Sequence, residues 1–236
     1  MQSLETTVQL AIRDAPTQAA RLAELASMHR EQHSASGEHD TIKHWEPTAK
    51  TFCYQTHIAI EPQPEERLDW LAQVFYRQAS LPSQPWYPQF MGGETASSDA
   101  APAAGITEQQ LAWGRFDLGL PAPRYYRQLV SLAHAGPSTR VIVARSVNEG
   151  PALPADARLA YTLNPNGEVL HFEEGRLHWH HICCTPGAGV LPARLDRWLI
   201  NTLRRTGLDG AERKTYREEA EQLRDWLASP QPELPR

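Results

Sequence analysis

The run HWHHICC, residues 178–184, holds the densest set of side chains that could bind a metal or act in catalysis. Zinc in proteins takes three or four Cys, His or carboxylate ligands that converge tetrahedrally. If the run is a strand, successive side chains point to opposite faces, and the ligands divide into two sets. One set, on the face of Ile182, consists of His178, His180 and Cys184.

The other set shares its face with Leu177 and Trp179, and it consists of His181 and Cys183. No second Cys/His cluster elsewhere in the chain supplies obvious further ligands. We therefore predict no metal and no cofactor, and we expect the Trp179 side to face inward. On that side, His181 could serve as a polar anchor in an otherwise apolar pocket.

Cys53 is the other candidate nucleophile. A catalytic thiol needs a neighbouring base, and His57 is four residues further along a strand, about 13 Å away at ~3.3 Å per residue. The chain also contains no glycine-rich phosphate loop, no nucleophile elbow and no HExxH. We predict no catalytic residue and regard an enzyme as the less favoured class.

Arg145 alternates with Val141, Val143 and Val147, so it faces inward if the valines do. A buried arginine must be paired, because an isolated buried charge is costly, and Asp117 or Glu173 could pair with it. Two interpretations stay open: Arg145 orients the polar head of a ligand, or its ion pair holds the sheet together.

Aromatic side chains on the same strands could pack in the core or line a ligand cavity, because pockets are lined mainly by apolar and aromatic groups. They are Trp113, Phe116, Tyr126 and Trp179. In the last helix, an apolar face would either pack on the sheet or cover a cavity; its residues are Leu195, Trp198, Leu199 and Thr202.

These side chains need a sheet and helices to position them. We predict helices over 4–33 and 65–78, a strand over 51–60, and a long loop over 81–105 rich in Pro, Gly, Ser and Ala. From 106 to 185, six strands separated by short turns predict an antiparallel meander. A helix from about 192 to 227, kinked near Gly207, completes an α+β domain in which a curved antiparallel sheet wraps around a long C-terminal helix.

Charge and composition limit the classes of partner and the cellular compartment that we expect. The chain has 236 residues and a formal net charge of −5, with scattered basic residues, so we expect no nucleic acid partner. Three cysteines, two of them adjacent, are unlike a disulfide framework and favour a reducing compartment. Residues 1–16 have neither a basic start nor an apolar run, and no segment reads as membrane-spanning. We expect a cytoplasmic protein.

Several phrases then resemble the START superfamily of lipid-transfer domains, which have the helix-grip fold. LPAPRYYRQLVSL resembles the family's proline-rich turn and following strand, although Tyr125 stands where the family usually has aspartate. RVIVARSV resembles the next strand, ending at Arg145, Ser146 and Val147. TPGAGVLPARL resembles the entry to the last helix, at Gly189, Leu191 and Pro192. The resemblance covers about 50–206.

We predict an N-terminal helical extension over 1–45, a START-like domain over 46–228 and a polar tail over 229–236. The resemblance implies a cavity between the sheet and the last helix that carries or senses an apolar small molecule such as a lipid or sterol, with transient membrane contact possible. The predicted ligand-binding residues are Trp113, Phe116, Tyr126, Val143, Arg145, Trp179, His181, Leu195 and Leu199. Two alternatives stay open: a cyclase- or aromatase-like enzyme that uses this cavity, with His181, Arg145 and Tyr126 as acid or base, and a ligand-free protein-interaction domain.

Overall fold

The computed structural model describes residues 6–33, 39–60, 67–81, 84–118, 120, 122–185, 193–206 and 209–228. The described helices are α1 Val8–His33, α2 Arg67–Tyr76, α3 Ala193–Thr206 and α4 Asp209–Ala228. The described strands are β1 His39–Glu46, β2 Thr51–Ile60, β3 Phe90–Ser97, β4 Ile106–Phe116, β5 Arg124–Gly136, β6 Thr139–Ser146, β7 Leu159–Ala160, β8 Gly167–Glu173 and β9 Arg176–Cys183.

All of these strands belong to one sheet, and eight of them follow the order β1-β2-β9-β8-β6-β5-β4-β3. Every neighbouring pair along this order is antiparallel. The two-residue strand β7 lies off the path and pairs with β5 in parallel. The predicted α+β class and antiparallel sheet are confirmed, with β7 as a short parallel addition.

One face of the sheet, here called the inner face, packs against α2 and α4. Leu71 and Phe75 of α2 and Leu223 of α4 are fully buried in the same core cluster as Ile142 and Trp179 of the sheet. This follows from the sequence of α2, where apolar residues recur at helical spacing and form one continuous stripe.

The opposite, outer face packs against α1. Ala15, Ala19 and Leu22 on one side of α1 form a second core cluster with alternate residues of the strands, among them Val143 and Ile182. Small alanine side chains let the helix axis lie close to the strands. The sheet is therefore buried on both faces, between α1 on one side and α2 with α4 on the other.

Three elements differ from the sequence prediction. The sequence prediction has no strand between the helix over 4–33 and the strand over 51–60, but β1 lies there, and the predicted loop over 81–105 contains β3. Both strands lie at the ends of the sheet, where only one neighbour is needed and the apolar alternation is weak. The predicted last helix is two helices, α3 and α4, and the predicted tail over 229–236 lies outside the described residues.

The division at residue 45/46 stays a prediction, but β1 ends at Glu46 and pairs with β2 along its whole length. The segment assigned to the extension therefore contributes an edge strand as well as the outer helix. This makes α1 an integral layer of the fold.

Replacing Leu22 by Ala is expected to destabilise the protein by about 2–5 kcal/mol, because a fully buried side chain is truncated between α1 and the sheet. Urea unfolding followed by circular dichroism measures this. The control is Leu10→Ala on the same helix, where the side chain is exposed, and we expect a change within about 0.5 kcal/mol. A change equally small for Leu22→Ala would show that α1 does not stabilise the sheet.

Candidate functional site

A cavity of about 580 Å³ lies between the inner face of the sheet and the two C-terminal helices. Its volume is within the range of pockets that hold small molecules. One wall is formed by five strands, through inward-facing side chains and the backbone of Gly167; the side chains are Phe116, Tyr126, Gln128, Ile142, Ala144, Glu168, His181 and Cys183. The facing wall comes from α3 and α4, through Ile200, Arg204, Glu212, Thr215, Tyr216 and Glu219.

A hydrogen-bonded group of three polar side chains lies on the cavity wall. The Tyr87 hydroxyl, from the segment before β3, donates to Oε1 of Glu168 at 2.9 Å, and Nδ1 of His181 lies 3.1 Å from the same hydroxyl. Burial raises the pKa of Glu168 to about 8 and lowers that of His181 to about 4. At neutral pH both side chains are therefore mainly uncharged.

Further titratable groups of the cavity are also held neutral by burial. Burial raises the pKa of the Cys183 thiol to about 12, so the thiol is not a nucleophile at neutral pH. Burial, with a smaller contribution from Glu168, raises the pKa of Glu219 well above its ordinary value. The pKa of Tyr126 is likewise raised by burial.

Among the described residues that line the cavity, Arg204 is the one with a guanidinium group, and that group is already engaged in hydrogen bonds. Its Nε and Nη2 donate to the Glu212 carboxylate at 2.8–3.0 Å, and its Nη1 donates to the backbone carbonyls of Thr185 and Phe52. Burial disfavours the charged guanidinium, but the Glu212 carboxylate outweighs this effect and raises the pKa of Arg204. The contacts tie α3 to α4, to β2 and to the end of β9.

Gly167, at the start of β8, brings the backbone itself into the wall. Its φ is +155°, and a Cβ there would lie 1.9 Å from the carbonyl oxygen of Ile142 on the paired strand β6. Only glycine permits this approach. The same Cβ would lie 3.1 Å from Cδ1 of Leu22 in α1, so the missing side chain would point to the outer face, and Gly167 lines the cavity with its backbone alone.

Of the nine predicted ligand-binding residues, Phe116, Tyr126 and His181 line the cavity. Phe116 and Tyr126 come from neighbouring strands, and their rings meet edge to face at 5.5 Å between centroids. The structure thus brings these three together on one wall, and their contact with a ligand stays a prediction.

The two tryptophans do not reach the cavity lining. Trp179 lies on the inner face but is buried in the core beneath α2, with its ring stacked on Phe75 at 6.0 Å. Its indole N–H lies near Glu168 and favours the charged carboxylate, but it does not form a hydrogen bond of normal geometry. Trp113 packs against Tyr125, whose side chain alternates with the inward-facing Tyr126 on β5, so Trp113 belongs to the outer face.

Val143 and Arg145 were predicted to contact a ligand, but neither lines the cavity. Val143 packs with α1 on the outer face, and the alternate residues Ile142 and Ala144 line the cavity instead. Arg145 follows Val143 at period two and donates from Nη1 to the carbonyl of Thr162 at 2.9 Å, so neither Asp117 nor Glu173 is this hydrogen-bond partner. A row of valines indicates burial but not which of two buried faces it occupies.

Leu195 and Leu199, also predicted to contact a ligand, do not line the cavity either. Both side chains are exposed, as are Trp198 at 65% and Leu203, so the apolar stripe of α3 points away from the cavity. The helix turns Ile200 and Arg204 inward instead, because the buried ion pair with Glu212 fixes its rotation. The helix that packs on the sheet with its apolar face is α4.

Sequence reasoning missed Tyr87, Glu168, Arg204 and Glu219. Tyr87 lies in a segment that we expected to be loop, and the others are charged residues in otherwise regular elements. A usable signal was present for Glu168: it alternates with Leu170 on a strand whose neighbours are apolar, so the glutamate had to be buried. No comparable pattern marks Arg204 or Glu219.

The remaining histidines of HWHHICC lie on the outer face, beneath the C-terminal half of α1. The ring of His57 stacks on both His178 and His180, and His29 of α1 lies 5.8 Å from His180 between ring centroids. Both ring nitrogens of His180 are buried without a hydrogen-bond partner among the described residues. We call His29, His57, His178 and His180 the histidine layer.

Among the described residues, no group of three or more His, Cys, Asp or Glu side chains has an arrangement that could hold a metal ion. Within the same residues, no helix combines the length and the apolar character needed to cross a bilayer.

No protein-family model matches the chain, and no curated protein matches it. Several solved structures, in contrast, are similar to the chain. A STAR-related lipid transfer protein from Xanthomonas axonopodis superimposes with a TM-score of 0.55 at 12% identity, covering 83% of this chain and 96% of the other. Human StAR-related lipid transfer protein 5 gives a TM-score of 0.55 at 13% identity, covering 89% and 96%. The chain has a START-like fold.

The lipid transfer and protein localization domain of human StarD13 (DLC2) is similar too, with a TM-score of 0.52 at 12% identity over 86% of this chain and 94% of that domain. The predicted START-like, helix-grip architecture is confirmed by these matches. At such identities the likeness concerns the fold alone, and the site has to be interpreted from its own residues.

The histidine layer predicts a loss of stability on acidification. Burial lowers the pKa of His180 well below 6.5 and that of His57 to about 3. As pH falls below 6.5, the unfolded chain takes up protons that the folded chain does not. Each such histidine lowers the free energy of unfolding by about 1.4 kcal/mol per pH unit. We expect His180→Gln to reduce this slope between pH 6.5 and 5, measured by urea unfolding.

The comparison has to be made between variants, because the raised pKa of Glu168, about 8 against an ordinary 4.5, has the opposite effect on stability throughout this pH range. His134→Gln is the matched control, since His134 is exposed at the end of β5. An unchanged slope in His180→Gln would contradict a buried, neutral His180.

Proposed function

We propose that this protein binds an apolar small molecule, such as a lipid or sterol, in the cavity between the inner face of the sheet and α4, and carries or senses it. The observation that carries the proposal is the cavity itself. It lies on the face where the fold has its main core, and it is left unfilled by the side chains that surround it.

The composition of the walls supports this proposal. Phe116, Tyr126 and Ile142 supply apolar and aromatic surface, and among the polar groups of the walls Tyr87, Glu168 and His181 are fixed in position by hydrogen bonds. Burial of apolar ligand surface is favourable by roughly 25 cal/mol per Å². The three START-like structures named above are described as lipid transfer proteins or domains, which agrees with an apolar ligand.

We further propose that α3 is the surface through which the protein touches a membrane to exchange its ligand. Four large apolar side chains of one helix are exposed together: Leu195, Trp198, Leu199 and Leu203. The same helix carries the exposed Arg205, which lies over the Trp45 ring. Apolar and aromatic residues beside cations are typical of helices that lie in a membrane interface. We keep the cytoplasm as the proposed location.

Acid–base catalysis on a molecule held in the cavity is the second candidate. The observation that favours it is the contact of one Tyr87 hydroxyl with both Glu168 and His181, since these form a neutral acid and a neutral base within hydrogen-bond reach of one point. Of the acid–base residues first considered, Arg145 is removed by its place on the outer face, whereas His181 and Tyr126 line the cavity.

The first test is uptake of lipid. We expect purified protein to release a bound apolar molecule on solvent extraction, or to take one up from vesicles, and native mass spectrometry reports the complex. Ala144→Trp places a bulky ring in the cavity and should weaken binding by at least about tenfold, equivalent to ~1.4 kcal/mol. A molecule recovered chemically unchanged supports a carrier, and a converted one supports the enzyme.

The matched control is Ala20→Trp, the same substitution at an exposed position of α1, which should leave binding intact. If neither extraction nor a broad lipid panel yields a complex with the unaltered protein, the binding function is wrong.

The second test concerns α3. Trp198→Ala and Leu203→Ala are expected to reduce binding to vesicles that contain anionic lipid by at least about fivefold each, because each removes an exposed anchor. Cosedimentation measures this effect. Leu10→Ala, an equally exposed leucine on α1, should not change it. Equal losses in all three variants would argue against α3 as the contact surface.

A further inference from the structure

The cavity has an excess of acidic groups that the binding of a purely apolar molecule does not use. Among the described residues that line it, one is a basic residue, Arg204, and four are acidic: Asp117, Glu168, Glu212 and Glu219. Glu212 neutralises Arg204 through three short hydrogen bonds. Among the described residues, the wall offers no second basic residue to Glu168 or Glu219.

Glu168 and Glu219 are the two that are deeply buried. Glu168 lies on β8 and is 4% exposed, and Glu219 lies on α4 and is 8% exposed, so they approach the cavity from opposite walls. Oε2 of each carboxyl is buried without a hydrogen-bond partner among the described residues. A buried acceptor left unpaired is destabilising, and natural proteins keep few of them.

These side chains are also close enough to affect one another. The charge of Glu168 contributes to the raised pKa of Glu219, after burial itself. Two carboxyls that face the same water-poor space resist ionisation together. A cation placed between them would remove the penalty, and so would a strong hydrogen-bond donor to a lesser degree.

We propose that the ligand is an apolar molecule with a basic amine, whose ammonium group lies between Glu168 and Glu219. The inference rests on the proposed function and specifies its ligand class. An ammonium group has three N–H donors and no acceptor, which matches two acceptors that lack donors. The Phe116, Tyr126 and Ile142 surfaces of the same cavity take the apolar part.

The neighbours of the two carboxyls fit this assignment. Tyr87 already donates to Oε1 of Glu168, whereas Oε2 has no hydrogen bond of normal geometry, although the Trp179 N–H lies near the carboxyl, and we assign Oε2 to the ligand. His181 is neutral and does not compete as a cation. Arg204 is held by Glu212 and by backbone carbonyls, so an anionic head group finds no available guanidinium among the described residues of the wall.

The experiment compares three probes of equal chain length by isothermal titration calorimetry. They are a medium-chain primary alkylamine, its N-acetyl derivative and the corresponding fatty acid. We expect the amine to bind at least about tenfold tighter than either of the others, since charge-assisted hydrogen bonds are about twice as strong as neutral ones. Because the free carboxyls hold protons near neutral pH, binding of the ammonium should also release about one proton, seen by titration in two buffers of different ionisation enthalpy.

Glu168→Gln and Glu219→Gln keep the size of each side chain and, at 168, the acceptor for Tyr87. Each is expected to reduce amine affinity by about tenfold or more and to leave the affinity for the N-acetyl probe within about twofold. Glu218→Gln is the control, because Glu218 is the solvent-exposed neighbour on α4 that pairs with Lys214. It should leave the amine preference unchanged.

The outcomes separate the two proposals. Binding of the N-acetyl probe or the fatty acid as tightly as the amine overturns the amine assignment and leaves the binding function intact. Loss of affinity for all probes alike in Glu168→Gln and Glu219→Gln shows a structural role and also overturns the assignment. Absence of binding for every probe, together with no extractable lipid, overturns both.

Discussion

The constraint on which the rest of the molecule depends is that the sheet is buried on both faces. A strand between α1 and the pair α2 and α4 has to be apolar on both sides, yet its alternate residues belong to different layers. On β6, Val143 packs on α1 while Ile142 and Ala144 line the cavity. A shift of register by one residue would exchange the two sets. Which side chains line the cavity therefore depends on the strand register as much as on the residue types.

The buried pair Arg204–Glu212 is the second organising interaction, and it acts at the boundary between the two C-terminal helices. It orients α3 so that Ile200 and Arg204 face the cavity, and the apolar stripe of that helix is left on the surface. Breaking such a pair by removing one partner is strongly destabilising, because the other charge stays buried. The exposed stripe is thus a consequence of a polar contact, not of poor packing.

Much of the architecture was predictable from local pattern. The bounds of β2 were predicted to the residue, and five later strands were placed correctly, because alternation and turn residues mark them. The alternation of side chains along β9 predicted which of its faces is turned inward, the one that carries Trp179 and His181. The site was predicted less well. Phe116, Tyr126 and His181 reach the cavity, but Val143 and Arg145 were assigned to the wrong face because both faces are apolar. Glu168 was missed although its alternation with Leu170 indicates burial, and Glu219 was missed because no comparable pattern marks it.

Gly167 has a consequence for how this cavity can diversify. Pockets of related shape usually acquire new selectivity by exchanging side chains along their walls, but at this position any side chain would collide with the carbonyl of Ile142 and separate β6 from β8. The close approach of β6 and β8 at this point is thus fixed, and the backbone that it presents to the cavity cannot vary. Variation in what the cavity accepts has to come from the other positions of the walls, such as Ala144 on β6 and Ile200 on α3.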